Sequence, residues 1–199
     1  LRKADLIKNK FGIDKDGYIL FLGRLVPEKG IQYLIKAFKQ IDTDKKLVIA
    51  GGSSDSDEFM QELTRLAADD PRILFTGFVQ GHMLAELYSN AYVYCLPSDL
   101  EGMPLSLLEA MSYGNCCLAS DIAECAEVLE DKGVLFQRGS VESLKQKLEE
   151  LFQHPEQVGR YREEATKYIC DKYNWDDVVS KTLLLYYEKF DVRKAKINR

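Results

Sequence analysis

Six short apolar runs recur along the chain, and residues with helical spacing lie between them. The runs occupy residues 18–22, 47–50, 73–78, 92–96, 116–119 and 134–136. They are continuously apolar rather than alternating, which is typical of strands covered on both faces. After the first run, Ile31, Leu34, Ile35 and Phe38 recur at intervals of three and four residues. This spacing predicts an amphipathic helix.

The regular alternation of strand and helix predicts an α/β fold. We expect a Rossmann-like, doubly wound parallel β-sheet of about six strands. After residue 140 the strands stop, and Ser140, Pro155 and Asn174 are each placed to begin a helix. We therefore interpret residues 1–199 as a single domain. It has an α/β core at 15–140, a C-terminal helical tail at 141–190 and a basic tail at 191–199.

The net charge of the chain argues against one class of function. The 199 residues include 32 Asp and Glu against 27 Lys and Arg, for a net charge of -5. An acidic chain is a poor candidate for a nucleic-acid binder. Both ends are basic, however: residues 1–10 hold four basic and one acidic residue. We interpret these ends as solvated termini, and peripheral contact with an anionic membrane in the full-length protein stays an alternative.

The cysteines and histidines argue against a disulfide framework or a structural metal. The chain has five Cys and two His, with no C-x-x-C pair. Several of the cysteines lie in apolar runs, where a free thiol packs as a small hydrophobe. We therefore expect a reducing, cytoplasmic location, either free or at the inner face of a membrane. No apolar run approaches the ~18 residues needed for a membrane span.

The loop after the first strand, at residues 23–30, reads Gly-Arg-Leu-Val-Pro-Glu-Lys-Gly. It leaves a strand, carries Arg24 and Lys29, and enters a helix. An arginine fork and a lysine point charge both suit phosphate oxygens. From spacing alone, a solvated turn with ordinary surface cations remains the alternative.

The loop after the fourth strand is richer in signals. Pro104 fits a first helical position, and Gly102 allows the backbone to approach a ligand closely. The helix start is expected to present free N–H groups to an anion. These groups belong to Met103, Leu105 and Ser106.

Two carboxylates, Glu101 and Glu109, flank this expected anion site. Carboxylates accept hydrogen bonds from sugar hydroxyls while amides hold phosphate. The combination predicts a polyhydroxylated ligand that carries phosphate. A helix start with one acid near its positive end is the alternative.

Together the two loops resemble retaining glycosyltransferases of the family 4 type. Residues 23–30 are similar to the signature G-R-L-x-x-x-K-G, and residues 97–110 to P-S-x-x-E-G-x-x-L-x-x-L-E-A. The resemblance covers roughly residues 15–190. It implies one half of a GT-B fold, namely the domain that binds the nucleoside diphosphate sugar. The N-terminal, acceptor-binding domain is absent from this sequence, so we expect the chain alone to be an inactive half of a hexosyltransferase.

The resemblance also implies catalytic roles. Arg24 and Lys29 would hold the donor diphosphate and offset the charge that builds on the leaving group. Glu101 would face the transferred sugar. No metal or other cofactor is implied, because the cations take that part.

Further residues are implied to bind the donor. Glu109 would hold the ribose hydroxyls, and Val79 would lie near the base. Backbone contacts are expected from Gly23, Gly102, Met103, Pro104, Leu105 and Ser106. Met103 stands where an aromatic residue is common in the family, which weakens any inference about the sugar.

Other functions stay open at this point. One is a non-catalytic nucleotide-sugar-binding module, and another is half of a GT-B epimerase or phosphorylase. A nicotinamide oxidoreductase fits poorly, because residues 23–30 are not G-x-G-x-x-G.

Overall fold

A computed structural model of the chain describes residues 2–52, 57–173, 179–180 and 182–186. Its centre is a six-stranded sheet in the order β3-β2-β1-β4-β5-β6. All neighbouring strands are parallel. The strands are β1 (Tyr18–Leu22), β2 (Lys46–Ala50), β3 (Ile73–Gly77), β4 (Val93–Leu96), β5 (Cys117–Ser120) and β6 (Val134–Phe136). The predicted α/β fold with a doubly wound, six-stranded parallel sheet is confirmed.

Helices connect the consecutive strands, as parallel crossovers require, and further helices precede β1 and follow β6. They are α1 (Asp5–Phe11), α2 (Ile31–Phe38), α3 (Asp57–Ala67), α4 (Gly81–Asn90), α5 (Leu105–Ser112), α6 (Ala123–Leu129), α7 (Val141–Gln153) and α8 (Pro155–Lys172). Ser140 caps α7 through its hydroxyl, which accepts a hydrogen bond from the Ser143 N–H at 3.1 Å. Pro155 opens α8. The helix start predicted at Asn174 and the basic tail at 191–199 lie outside the described residues.

Helix α1 was not predicted from the apolar pattern. Its N-terminus is capped by Glu86 of α4, whose Oε2 accepts the N–H groups of Leu6 and Ile7 at 2.7 and 3.1 Å. Ile7 is fully buried in the core. The carboxylate satisfies orphan N–H groups at the positive end of the helix dipole. A cap supplied from about 80 residues away leaves no local sequence signal.

Strands β1 and β4 form the centre of the sheet, and their side chains are almost entirely buried. The chain order reverses between them, since β1 leads to β2 and β3 on one side and β4 to β5 and β6 on the other. Ligands of open α/β sheets bind at the carboxyl ends of the strands at such a switch point. The loops that carry the two sequence motifs follow these same two strands. None of the helices within the described residues is long and apolar enough to cross a membrane.

Candidate functional site

The loops that follow β1 and β4 are packed tightly against each other. Gly30 has a φ of +65°, and a Cβ built on it would lie 2.0 Å from the Pro97 carbonyl oxygen. The Asp99 N–H also donates to the Glu28 carbonyl at 2.8 Å. Glycine is required at position 30 both for the left-handed backbone and for this close approach. The two motifs therefore form one continuous surface.

Lys29 and Glu101 form an ion pair in that surface. Lys29 Nζ lies 2.6 Å from Glu101 Oε1, and the two side chains are only 16% and 6% exposed. The same oxygen accepts a hydrogen bond from the hydroxyl of Ser98 at 2.6 Å. Two donors on one carboxylate oxygen hold the Glu101 side chain in a single orientation. The sequence assigned Lys29 and Glu101 to different parts of a donor, and the structure joins them directly.

Arg24 lies beside a cavity of about 380 Å³ at the ends of β1, β2 and β3. Gly23 and Val79, which the resemblance assigned to donor binding, line the same cavity, and the other lining residues are Leu22, Ala50, Gly51, Gly52 and Phe78. The Arg24 side chain is exposed. It makes no hydrogen bond or ion pair with any described residue. The guanidinium is therefore available to an anionic ligand.

The hydroxyl of Ser106 is hydrogen-bonded to a buried tyrosine of β4. Tyr94 Oη lies 2.8 Å from Ser106 Oγ and 3.2 Å from the Leu22 carbonyl oxygen. The carbonyl can only accept, so when both bonds form, the phenol donates to Leu22 and the Ser106 hydroxyl donates to the phenol. Complete burial raises the pKa of Tyr94, which keeps it protonated. The Ser106 oxygen then offers an acceptor, not a donor, to a ligand.

Glu109 is oriented by a second buried tyrosine. Tyr88 of α4 is 1% exposed, and its hydroxyl donates to Glu109 Oε2 at 3.1 Å. Burial raises the pKa of Tyr88, so the phenol remains a donor at any physiological pH. Glu109 itself is exposed on the first turns of α5. Its position suits a carboxylate that accepts hydrogen bonds from a diol.

The start of α5 differs from the expected row of free amides. Pro104 is not the first helical residue but the residue before it, with φ -76° and ψ 70°. The Leu105 N–H, expected to be free, donates to the Met103 carbonyl at 2.8 Å in a tight turn. The N–H groups of Met103 and Ser106 have no hydrogen-bond partner within the described part of the chain. Gly102 is exposed, with no atom within 4 Å of a built Cβ, so its backbone is open to a ligand.

A second, mostly apolar cavity of about 510 Å³ lies between α5 and α8. Met103, Leu105 and Glu109 form its wall on the α5 side. The predicted site residues thus fall into three neighbouring groups. These are the Arg24 cavity, the Lys29–Glu101 pair and the α5 surface.

Sequence reasoning did not assign a role to Ser98, Tyr88, Tyr94 or Phe78. Ser98 stood within the quoted motif, Tyr94 lay in the apolar run at 92–96, and Tyr88 fell between two such runs. Phe78 was expected to be part of the third strand. Gly77 has a φ of +69°, which ends β3 and leaves Phe78 75% exposed at the Arg24 cavity.

Among the described residues, no group of three or more His, Cys, Asp or Glu side chains is arranged to hold a metal ion.

The sequence profile of the family described as glycosyl transferases group 1 matches residues 3–168. An uncharacterised glycosyltransferase of Methanocaldococcus jannaschii is 32% identical over 181 residues, which cover 87% of this chain and 45% of that protein. The O-antigen chain mannosyltransferase B of Escherichia coli is 25% identical over 187 residues, covering 90% of this chain and 48% of that protein.

Solved structures share the fold. The Anabaena protein HepE, crystallised with UDP and glucose, superimposes with a TM-score of 0.85 at 17% identity, covering 92% of this chain and 51% of that chain. The sucrose-phosphate synthase of Thermosynechococcus elongatus gives 0.82 at 25% identity, covering 93% and 48%. The chain thus spans about half the length of these relatives. It has the Rossmann-like fold found in one half of GT-B glycosyltransferases, and it belongs to the group 1 glycosyltransferase family.

Proposed function

We propose that this chain is the donor-binding half of a retaining glycosyltransferase of the family 4 type. The observation that carries the proposal is the docking of the β1 and β4 loops, which brings Lys29 of one motif into contact with Glu101 of the other. Lys29 Nζ lies 2.6 Å from Glu101 Oε1 across this junction. A phosphate-binding charge beside a sugar-binding carboxylate fits a nucleoside diphosphate sugar.

The relatives support this assignment. HepE is described in complex with UDP and with UDP-glucose, and the Escherichia coli relative is a mannosyltransferase. We infer a hexose donor with UDP or GDP as its carrier. Because the chain spans about half of these proteins, we assign acceptor binding to a further, N-terminal domain of the full-length enzyme.

In the proposed reaction the acceptor hydroxyl attacks the anomeric carbon from the face that the diphosphate leaves. A bond forms between the acceptor oxygen and the anomeric carbon, and the bond from that carbon to the phosphate oxygen breaks. The acceptor proton passes to the departing phosphate oxygen, so no protein base is consumed. Arg24 and Lys29 stabilise the negative charge that develops on the diphosphate, and this electrostatic term needs no metal ion.

The carboxylates complete the proposed site. Glu101 accepts a hydrogen bond from the transferred sugar and supports positive charge at the anomeric carbon. Glu109, oriented by Tyr88, accepts from the ribose hydroxyls. The base occupies the cavity at Val79.

We further propose a reducing, cytoplasmic setting for the full-length enzyme, in glycan, polysaccharide or glycolipid synthesis, with no nucleic-acid partner. All five cysteines are free, and four of them are buried. If the acceptor is a glycolipid, the basic ends of the chain would contact the anionic inner face of a membrane.

The proposal is tested by titrating the isotope-labelled 199-residue chain with UDP and GDP and following its amide NMR spectrum. We expect saturable shifts at millimolar or lower concentration, strongest at residues 23–30 and 101–109. Adenosine monophosphate, with one phosphate fewer, serves as the control and should bind more weakly. Absence of binding by both UDP and GDP at millimolar concentration would overturn the proposal. Efficient sugar transfer by this chain alone would contradict the assignment of acceptor binding to another domain.

A further inference from the structure

The two oxygens of the Glu101 carboxylate have different surroundings. Oε1 contacts Lys29 Nζ and the Ser98 hydroxyl, each at 2.6 Å. Oε2 has no hydrogen-bond partner among the residues that the structure describes. Within the described residues, the only buried side-chain nitrogen or oxygen atom without a hydrogen-bond partner is Oε1 of Gln32. Glu101 Oε2 also lacks a partner but is not such a buried atom, so it is in contact with solvent.

This division follows from the placement of Ser98. Ser98 is fully buried, two residues after the end of β4 and three residues before Glu101. Its own carbonyl accepts a hydrogen bond from the buried hydroxyl of Ser120, at the end of β5. The position of Ser98 is thus fixed by the sheet, and its hydroxyl transmits that position to the carboxylate.

We infer that Ser98 is a positioning residue that commits Oε1 of Glu101 to the protein and thereby presents Oε2 to a hydroxyl of the donor sugar. The inference rests on the proposed donor-binding function and extends it to a residue outside the donor contacts. A carboxylate held by Lys29 alone can rotate about its last bond, because an ammonium group binds either oxygen equally well. The Ser98 hydroxyl is a second donor, and because Ser98 is held by the sheet, it prevents this rotation of the carboxylate.

A positioning role for Ser98 affects the selectivity for a nucleotide sugar over the free nucleotide, and not only the affinity for either. If Ser98 orients the sugar-binding oxygen, its loss weakens a nucleotide sugar more than the same nucleotide without sugar. We expect Ser98→Ala to raise the ratio of the Kd of UDP-glucose to the Kd of UDP by about fivefold to tenfold, the effect of one ordinary hydrogen bond. GDP-mannose and GDP form a second pair of probes in case guanine is the base.

A double-mutant cycle separates positioning from general packing. In Glu101→Ala the same ratio is expected to rise, and Ser98→Ala added to that variant should raise it no further. A full additional rise in the double variant would show that Ser98 acts independently of Glu101 and would overturn the inference.

Tyr18→Phe is the matched control. It removes another buried hydroxyl of the sheet, one that donates to the Leu87 carbonyl at 2.7 Å and contacts neither Ser98 nor Glu101. We expect it to lower the Tm while leaving the ratio unchanged. Ser98→Cys keeps a side chain of similar size but replaces the hydroxyl with a weaker donor. Its ratio of the two Kd values should fall between those of the unmodified chain and Ser98→Ala. This second variant tests the inference even if Ser98→Ala impairs folding.

The possible outcomes separate failure of the donor-binding function from failure of the positioning role of Ser98. If the unmodified chain binds neither nucleotide pair, the donor-binding function itself fails. If it binds them but Ser98→Ala and Ser98→Cys change both members of each pair equally, or change neither, the positioning role is overturned while the donor site stands.

Discussion

Gly30 and Pro97 approach so closely that a single methyl group at position 30 has no room. A Cβ there would lie 2.0 Å from the Pro97 carbonyl oxygen, and the φ of +65° already disfavours any other residue. The contact is between two backbones, so no side chain can move aside. It holds the loop that contains Arg24 and Lys29 against the loop that contains Glu101.

We therefore predict that Gly30→Ala destabilises the chain by at least about 2 kcal/mol, since it combines left-handed strain with a backbone clash. Chemical denaturation followed by circular dichroism measures the effect. Gly159→Ala is the control, because Gly159 lies within α8 with nothing within 4 Å of a built Cβ. It should be neutral or stabilising by about 0.5–1 kcal/mol. Equal stability of the two variants would contradict the close approach.

The sheet was predictable because burial on both faces leaves a strong local signal. Each of the six strands differs from its predicted run by at most one residue at either end. Two features depended on information that is not local. Helix α1 depends on Glu86, about 80 residues away, for its cap. Strand β3 ends early because Gly77 adopts a left-handed φ, and the sequence alone does not show which conformation a glycine takes.

We predict that, of the five cysteines, Cys170 alone reacts with a thiol reagent in the folded chain. Burial raises the pKa of Cys116 and of Cys125 to about 12, and that of Cys95 further, so these thiols are neutral as well as covered at pH 8. Cys170 is exposed on α8. A colorimetric thiol assay should give about one thiol per folded chain and five in guanidinium chloride.

Cys170→Ser is the control for this assay. It should abolish the fast reaction of the folded chain and leave four thiols after denaturation. Rapid reaction of more than one thiol in the folded state would show that the core opens more readily than its burial indicates.

The candidate site was predictable in composition but not in connectivity. The resemblance implied that Arg24, Lys29, Glu101 and Glu109 contact one donor, so these residues were expected to lie near one another. Which of them pair with each other depends on side-chain conformations. The Lys29–Glu101 pair spans 72 residues of sequence, and nothing in either motif specifies it. Similarly, Tyr88 fits the apolar pattern of α4, which conceals the hydroxyl that orients Glu109.

We predict that Arg24→Ala weakens binding of UDP or GDP by about tenfold to a hundredfold, the effect of losing a charged hydrogen-bond donor to phosphate. Because Arg24 is exposed and has no partner among the described residues, the Tm should not change. Binding by the unmodified chain should also weaken as salt is raised, and this dependence should be smaller in the variant. Calorimetric titration at two salt concentrations measures both effects.

Arg160→Ala is the charge-matched control, since Arg160 is an exposed arginine on α8 that lines neither the Arg24 cavity nor the α5–α8 cavity. It should leave nucleotide affinity unchanged. If both variants weaken binding equally, the effect comes from overall charge and not from a phosphate contact by Arg24.

The last prediction concerns the phenol that orients Glu109. Tyr88→Phe keeps the buried ring but removes the hydroxyl that donates to Glu109 Oε2 at 3.1 Å. The carboxylate then has more freedom, and we expect the affinity for UDP to fall about threefold to tenfold. Inorganic pyrophosphate has no ribose, so its binding should not change, and NMR titration of both ligands tests the difference.

Tyr92→Phe is the matched control, because Tyr92 is also buried but its hydroxyl donates to the Leu151 carbonyl at 2.9 Å, at the end of α7. That variant should lose about 1 kcal/mol of stability without a change in the affinity for UDP or for pyrophosphate. Equal weakening of UDP and pyrophosphate in Tyr88→Phe would place the effect in the phosphate loops instead of at the ribose. The contact of Glu109 with a nucleoside would then have to be abandoned, while the Arg24 and Lys29 contacts with the diphosphate would stand.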